Sequence, residues 1–178
     1  MQPFKTERIL RVLIGILLGT FVYVIFDAVH ERIIGVGDSA PGFSIRTDNG
    51  RTITARDFGG KLLVLNFWAT WCPPCISELP SLDRFSEEFS DSGVVVLAIS
   101  VDKDEKIYRR FLERAQPGFL TARDPEAKIS GDYGTFKYPE TYIIDTNGKV
   151  VRKLIADQDW TDERIVTDVK SLLRSSPT

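Results

Sequence analysis

The sequence is short of the residues from which metal centres are built. Its 178 residues include two cysteines, Cys72 and Cys75, and one histidine, His30. A closed zinc site usually takes four ligands. No second CxxC exists, and His30 lies far from the pair beside an N-terminal apolar run. A purely structural disulfide is also a poor reading, because a bridge closing so short a loop removes little entropy from the unfolded chain. Basic residues are not in excess either. From Glu31 onward 20 basic and 23 acidic residues leave a formal charge of −3. With no basic stripe, nucleic-acid binding has no support. Internal repeats and low-complexity tracts are absent.

What is present is a CxxC in an informative place. Leu62-Leu63-Val64-Leu65-Asn66-Phe67-Trp68 reads as a buried strand, and the amphipathic pattern after Cys72 reads as a helix. Cys72 then stands at the helix N-terminus, where unpaired N–H groups and the helix dipole stabilise a thiolate. Cys75, one turn on, can close the ring and release a bound partner. The stretch Trp71-Cys72-Pro73-Pro74-Cys75 therefore points to dithiol–disulfide exchange, with no cofactor beyond a redox-active Cys72–Cys75 disulfide.

The N-terminus carries a second signal. Val12 to Phe26 contains no charge, and the stretch extended to residues 9–29 makes about 31 Å of helix, enough for a hydrocarbon core of roughly 30 Å. Lys5, Arg8 and Arg11 precede it, while Asp27 and Glu31 follow. The positive-inside rule keeps residues 1–8 in the cytoplasm and exports the rest. A cleaved signal peptide competes with this reading, but the apolar run is long for one. Around Ala28 the minus-three position is Phe26 and not a small residue. The expectation is a single-pass anchor at 9–29, a linker at 30–36 with His30 as a juxtamembrane surface residue, and one domain at 37–175.

Within the domain, Phe43–Arg46 and Arg51–Thr54 flank the turn signal Asp48-Asn49-Gly50. The strand Lys61–Trp68 leads to a helix over Pro73–Phe89, whose inward face is built from Ile76, Leu79, Leu82, Phe85 and Phe89. A buried strand at Gly93–Val101 and a helix at Asp104–Ala115 follow. A shorter helix covers Glu126–Tyr133, and Thr141–Asp145 with Val150–Ile155 makes a hairpin. The closing helix runs from Thr161, its expected N-cap, to Arg174. This order predicts an α/β fold: a mixed central sheet flanked by helices, with an N-terminal hairpin extension.

These residues resemble a family. Gly37-Asp38-Ser39-Ala40-Pro41-Gly42-Phe43, Asn66-Phe67-Trp68-Ala69-Thr70-Trp71-Cys72-Pro73-Pro74-Cys75, Glu78-Leu79-Pro80 and Tyr138-Pro139-Glu140-Thr141 resemble the thioredoxin fold. More narrowly, they resemble the membrane-anchored TlpA/ResA-type reductants, which include those of cytochrome c maturation. The resemblance implies an exported domain at a bacterial inner membrane, facing the periplasm or other extracytoplasmic space. It implies a membrane dithiol electron donor and an oxidised protein substrate, such as an apocytochrome c or its assembly factor.

It also implies roles. Cys72 attacks and Cys75 resolves the mixed disulfide. Pro139 is a cis-proline packed against the pair, and Pro80 kinks the active-site helix. Glu78 stands near the dithiol, where a carboxylate can raise thiol pKa values or accept a proton; the alternative is a solvated acid on the helix dipole. Trp71, Pro73, Pro74, Tyr138 and Glu140 shape the docking surface, although Glu140 as an exposed acid can equally do nothing. Asn66 stands where thioredoxin has a buried aspartate and cannot act as a proton acceptor. Two other classes compete. Copper-delivery relatives use a wider cysteine spacing and a later histidine, and no histidine follows residue 30. Peroxidases of related fold need Pro-x-x-x-Thr/Ser-x-x-Cys, and Leu65 and Ala69 fill those places.

Overall fold

The computed structural model describes residues 3–29 and 33–175, and the chain divides into two units at Arg32/Ile33. The first is one helix, α1 (Pro3–Val29). Its stretch Glu7–Ile25, 19 residues, is long and apolar enough to cross a membrane. Thr20 does not spoil it, because its hydroxyl donates back to the carbonyls of Ile16 and Leu17 at 3.0 and 2.9 Å. His30 lies outside the described residues.

In the second unit, β1 (Ser44–Arg46) and β2 (Thr52–Thr54) form the antiparallel hairpin. Gly50 closes it at φ +85°, a left-handed conformation that suits glycine. The main sheet holds β3 (Leu62–Trp68), β4 (Val94–Ser100), β5 (Leu120–Arg123), β6 (Glu140–Ile144) and β7 (Val150–Ile155), ordered β5-β4-β3-β6-β7. The strands β3, β4 and β5 run parallel, β6 runs antiparallel to β3, and β7 runs antiparallel to β6. The helices are α2 (Pro73–Glu88), α3 (Glu105–Ala115), the short α4 (Lys128–Asp132) and α5 (Glu163–Ser175).

All seven residues of the central β3 are buried, and their alternation feeds two cores. Leu62, Val64 and Trp68 join a cluster with Cys75, Leu82 and Phe85 of α2 and with Val169 of α5. Leu63, Leu65 and Phe67 face the other way, toward Ile45, Ile53, Ile129 and Tyr133.

The structure corrects several expectations. The strand β5 had no counterpart in the sequence reading. It is four residues long, and its position is fixed from outside: Asp48 donates its N–H to the Thr121 carbonyl at 2.9 Å, and Thr47 bridges to Ala122. The helix α4 is shorter than its predicted span. Asp162, not Thr161, caps α5, accepting the Arg164 N–H at 2.9 Å, while Thr161 is held by Asp159. Ile34, expected in the linker, is buried and donates its N–H to the Tyr133 carbonyl at 3.2 Å. The folded domain therefore begins before Gly37.

Candidate active site

The strand β3 ends at Trp68 and the chain turns through Ala69–Trp71 into α2, whose N-cap is Cys72. The first two helical positions are Pro73 and Pro74, which have no N–H. Cys75 therefore supplies the first free amide of the helix, and it donates to Cys72 Sγ at 3.3 Å. That bond and the helix terminus place positive potential on the Cys72 sulfur. Cys72 and Cys75 are joined in a disulfide, with Cα atoms 5.3 Å apart. Cys72 is 5% exposed and Cys75 1%, so the sulfur nearer solvent belongs to Cys72.

The opposite wall comes from the segment before β6. The Tyr138–Pro139 peptide is cis, and the Tyr138 carbonyl oxygen lies 3.5 Å from Cys72 Sγ. Trp71 is exposed and meets the Tyr138 ring edge-on at 6.0 Å. Pro73 and Pro74 are exposed beside it. The structure thus gathers Trp71, Cys72, Pro73, Pro74, Tyr138 and Pro139 at one surface.

The two acids behave otherwise. Glu78 is buried, not solvated on the first turn; one helical turn from Cys75, it shares that residue's inward face. The Trp160 indole N–H donates to Glu78 Oε1 at 2.5 Å, and Asn66 Nδ2 donates to the same oxygen at 3.4 Å. Asn66 Nδ2 also reaches Thr141 Oγ1 at 2.9 Å. Among the described residues, buried Glu78 Oε2 and Asn66 Oδ1 accept no hydrogen bond of ordinary geometry. Burial pushes the Glu78 carboxyl up to about 7; the Trp160 bond pulls the other way and nearby Asp157 adds to the rise.

Glu140 does not belong to the docking surface. It is 2% exposed and pairs with Lys153 Nζ at 2.9 Å. Lys153 also donates to the Ile34 carbonyl at 3.1 Å and lies over the Tyr142 ring. The pair ties the strand after Pro139 to the start of the domain.

Three supporting residues escaped the sequence reading. Buried Asp102 accepts the Thr70 N–H at 2.9 Å, the Thr70 hydroxyl at 2.6 Å and the Ser100 hydroxyl at 2.6 Å, pinning the loop that delivers the cysteines. An acid just past a buried parallel strand was the available signal, since the ends of β3 and β4 lie side by side. Trp160 and Lys153 gave no such signal.

Comparison with known proteins agrees with this geometry. Residues 36–153 match the AhpC/TSA family. A thiol-disulfide oxidoreductase ResA of Bacillus cereus is 34% identical over 158 residues, 86% of this chain and 91% of the relative. The chain belongs to the ResA-type thiol–disulfide oxidoreductases of the AhpC/TSA family. ResA of Bacillus subtilis (strain 168) is 30% identical over 179 residues, covering 98% of each chain. Among solved structures, one provisionally named thiol:disulfide interchange protein DsbE from Chlorobium tepidum superposes with a TM-score of 0.73. It is 27% identical and covers 79% of this chain and 99% of its own. This enzyme is thus a thioredoxin-like oxidoreductase with its cysteine pair at the head of α2.

Proposed function

We propose that this oxidoreductase is a membrane-tethered reductant of specific protein disulfides on the extracytoplasmic side of a bacterial inner membrane. The observation that carries the reading is the Cys72 sulfur, at a helix N-terminus and 3.5 Å from the Tyr138 carbonyl on the cis-proline edge. In the forward step the Cys72 thiolate attacks one sulfur of the substrate disulfide and expels the other as a thiolate, which takes up a proton. The Cys75 thiol then loses its proton and attacks Cys72 Sγ, releasing the substrate as a dithiol. Two electrons have moved to the substrate, and the Cys72–Cys75 disulfide remains. A membrane dithiol carrier restores the pair by the same exchange in reverse. Glu78, buried one turn from Cys75, is the candidate acceptor of the Cys75 proton. Trp71 and the Tyr138–Pro139 edge position the substrate backbone.

The substrate class proposed is an oxidised apocytochrome c haem-attachment pair or a cytochrome c assembly factor. Tethering by α1 raises the effective concentration toward membrane partners, and the charges before the apolar stretch orient the domain outward. The test is the reduction potential of the full-length protein in detergent against a dithiothreitol buffer series. A value near or below about −270 mV supports a reductant, and one near about −120 mV refutes it. A Cys75→Ser variant should then hold its substrate as a mixed disulfide. Cu(I) titration and peroxide consumption measure the competing activities, and either one outpacing disulfide exchange would displace this reading.

A further inference from the structure

A cleft opens beside Trp71, the residue that precedes Cys72. It encloses about 840 Å³ between the end of β4 and α3, and its apolar lining includes Trp71, Val101, Ile107 and Phe111. Trp71 and Ile107 are 63% and 52% exposed, which is high for large apolar side chains. A second cleft of about 580 Å³ shares Phe111 and Arg114 with the first and continues along the seam between α2 and α3 to Pro117. The track follows α3, whose 11 residues span about 16 Å, the length of roughly five residues of extended chain.

The charge along this track is uneven in kind. Lys103, Arg110 and Arg114 line the first cleft and Arg84 the second. Among the described residues none of these four cations forms an ion pair. The acids in the same lining are engaged within the fold. Asp102 is buried on Thr70 and Ser100, Asp104 caps α3 through the Lys106 and Ile107 amides, and Asp83 accepts the Gly118 N–H at 2.7 Å. Glu105, on the first turn of α3, is taken by Arg109 and Arg123. Hydrogen bonds from neutral donors leave the lining carboxylates charged, so the two linings hold four cations against three acids. With Asp102 buried and the four cations exposed, the charge presented to the cleft is net cationic, in a domain whose overall balance is acidic.

We propose that this track docks an extended, acidic stretch of the substrate polypeptide flanking its target disulfide, with apolar side chains seated on Trp71, Ile107 and Phe111 and carboxylates on Arg110 and Arg114. The proposal rests on the exchange reaction assigned above to Cys72 and names what selects its substrate. Opposite charge along the rim steers encounter and fixes register, while the apolar floor holds the chain.

The test uses reduced full-length protein in detergent and three synthetic peptides with the same internal disulfide, flanked on one side by three Glu, three Gln or three Lys. Exchange rates are taken as ratios to hydroxyethyl disulfide, which reports the dithiol alone. The Glu peptide should react at least tenfold faster than the Lys peptide at low salt, and the preference should collapse in 0.5 M NaCl (about a 4 Å screening length). R110E/R114E should reverse the order, and R109E, on the same helix but outside the cleft, should keep it. Equal ratios for all three peptides, or an unchanged order in R110E/R114E, would overturn the proposal. So would a dimer in light scattering that R110E/R114E dissolves while the peptide order is lost from the start, because the track would then be covered by a second copy. Failure to react even with hydroxyethyl disulfide would instead refute the exchange reading, and the docking proposal with it.

Discussion

Replacing Glu78 by Gln should make the domain more stable at alkaline pH, by an amount the structure sets. Burial raises the native carboxyl from its ordinary 4.5 to about 7. Between those values the native state holds a proton that the unfolded chain has released. Stability contributed by the protonated form is therefore complete below about pH 4.5 and is lost as pH rises through about 7. The shift corresponds to about 3 kcal/mol across that window. Gln keeps an oxygen acceptor for the Trp160 indole and cannot ionise, so E78Q loses the titration while retaining the bond. The assay is urea unfolding of the oxidised protein in detergent, followed by near-UV circular dichroism from pH 4.5 to 8.5. With a urea slope of about 2 kcal/mol/M, the midpoint of E78Q relative to wild type should climb by about 1.5 M over the range. Other groups titrate in both proteins and cancel. A difference that stays constant within about 0.5 kcal/mol would refute the argument, since it would mean that Glu78 is ionised throughout or is hydrated.

Trp160→Phe removes the indole donor that stabilises ionised Glu78, so the carboxyl midpoint should move above its value of about 7. Infrared titration of the carboxylic acid band, with E78Q as the blank, reads it directly. Lys153→Met strands Glu140 as a buried unpaired charge and should cost about 3–5 kcal/mol in urea unfolding. E140Q/K153M should recover most of that loss. Asp102→Ala leaves the Thr70 amide and hydroxyl without their acceptor. The expected cost is about 1–3 kcal/mol, together with faster hydrogen exchange at the Thr70 amide than in wild type.

The fold was legible where local pattern decides structure. The apolar run of β3, interrupted only by Asn66, and the Asp48-Asn49-Gly50 turn each declared their element, and each is found there. The edge strand β5 was not legible, because its four residues owe their pairing to β4 and to the hairpin turn that caps them. The inward face of α2 was half legible. Leu79, Leu82 and Phe85 are buried as their spacing requires, but Glu78 and Ser81 are buried too and Ile76 only partly so.

The sequence alone determined the chemistry. Two cysteines three apart at a strand-to-helix junction, with prolines that leave Cys75 as the first helical donor, specify an exchange site through backbone geometry that any such junction supplies. Only the tertiary structure decided the fate of the acids. Glu78 meets Trp160 across 82 residues, and Glu140 meets Lys153 through the β6–β7 hairpin. Whether a carboxylate is solvated, neutral or ion-paired depends on desolvation and on partners brought from elsewhere in the chain. Those are properties of packing, and spacing along the sequence does not carry them.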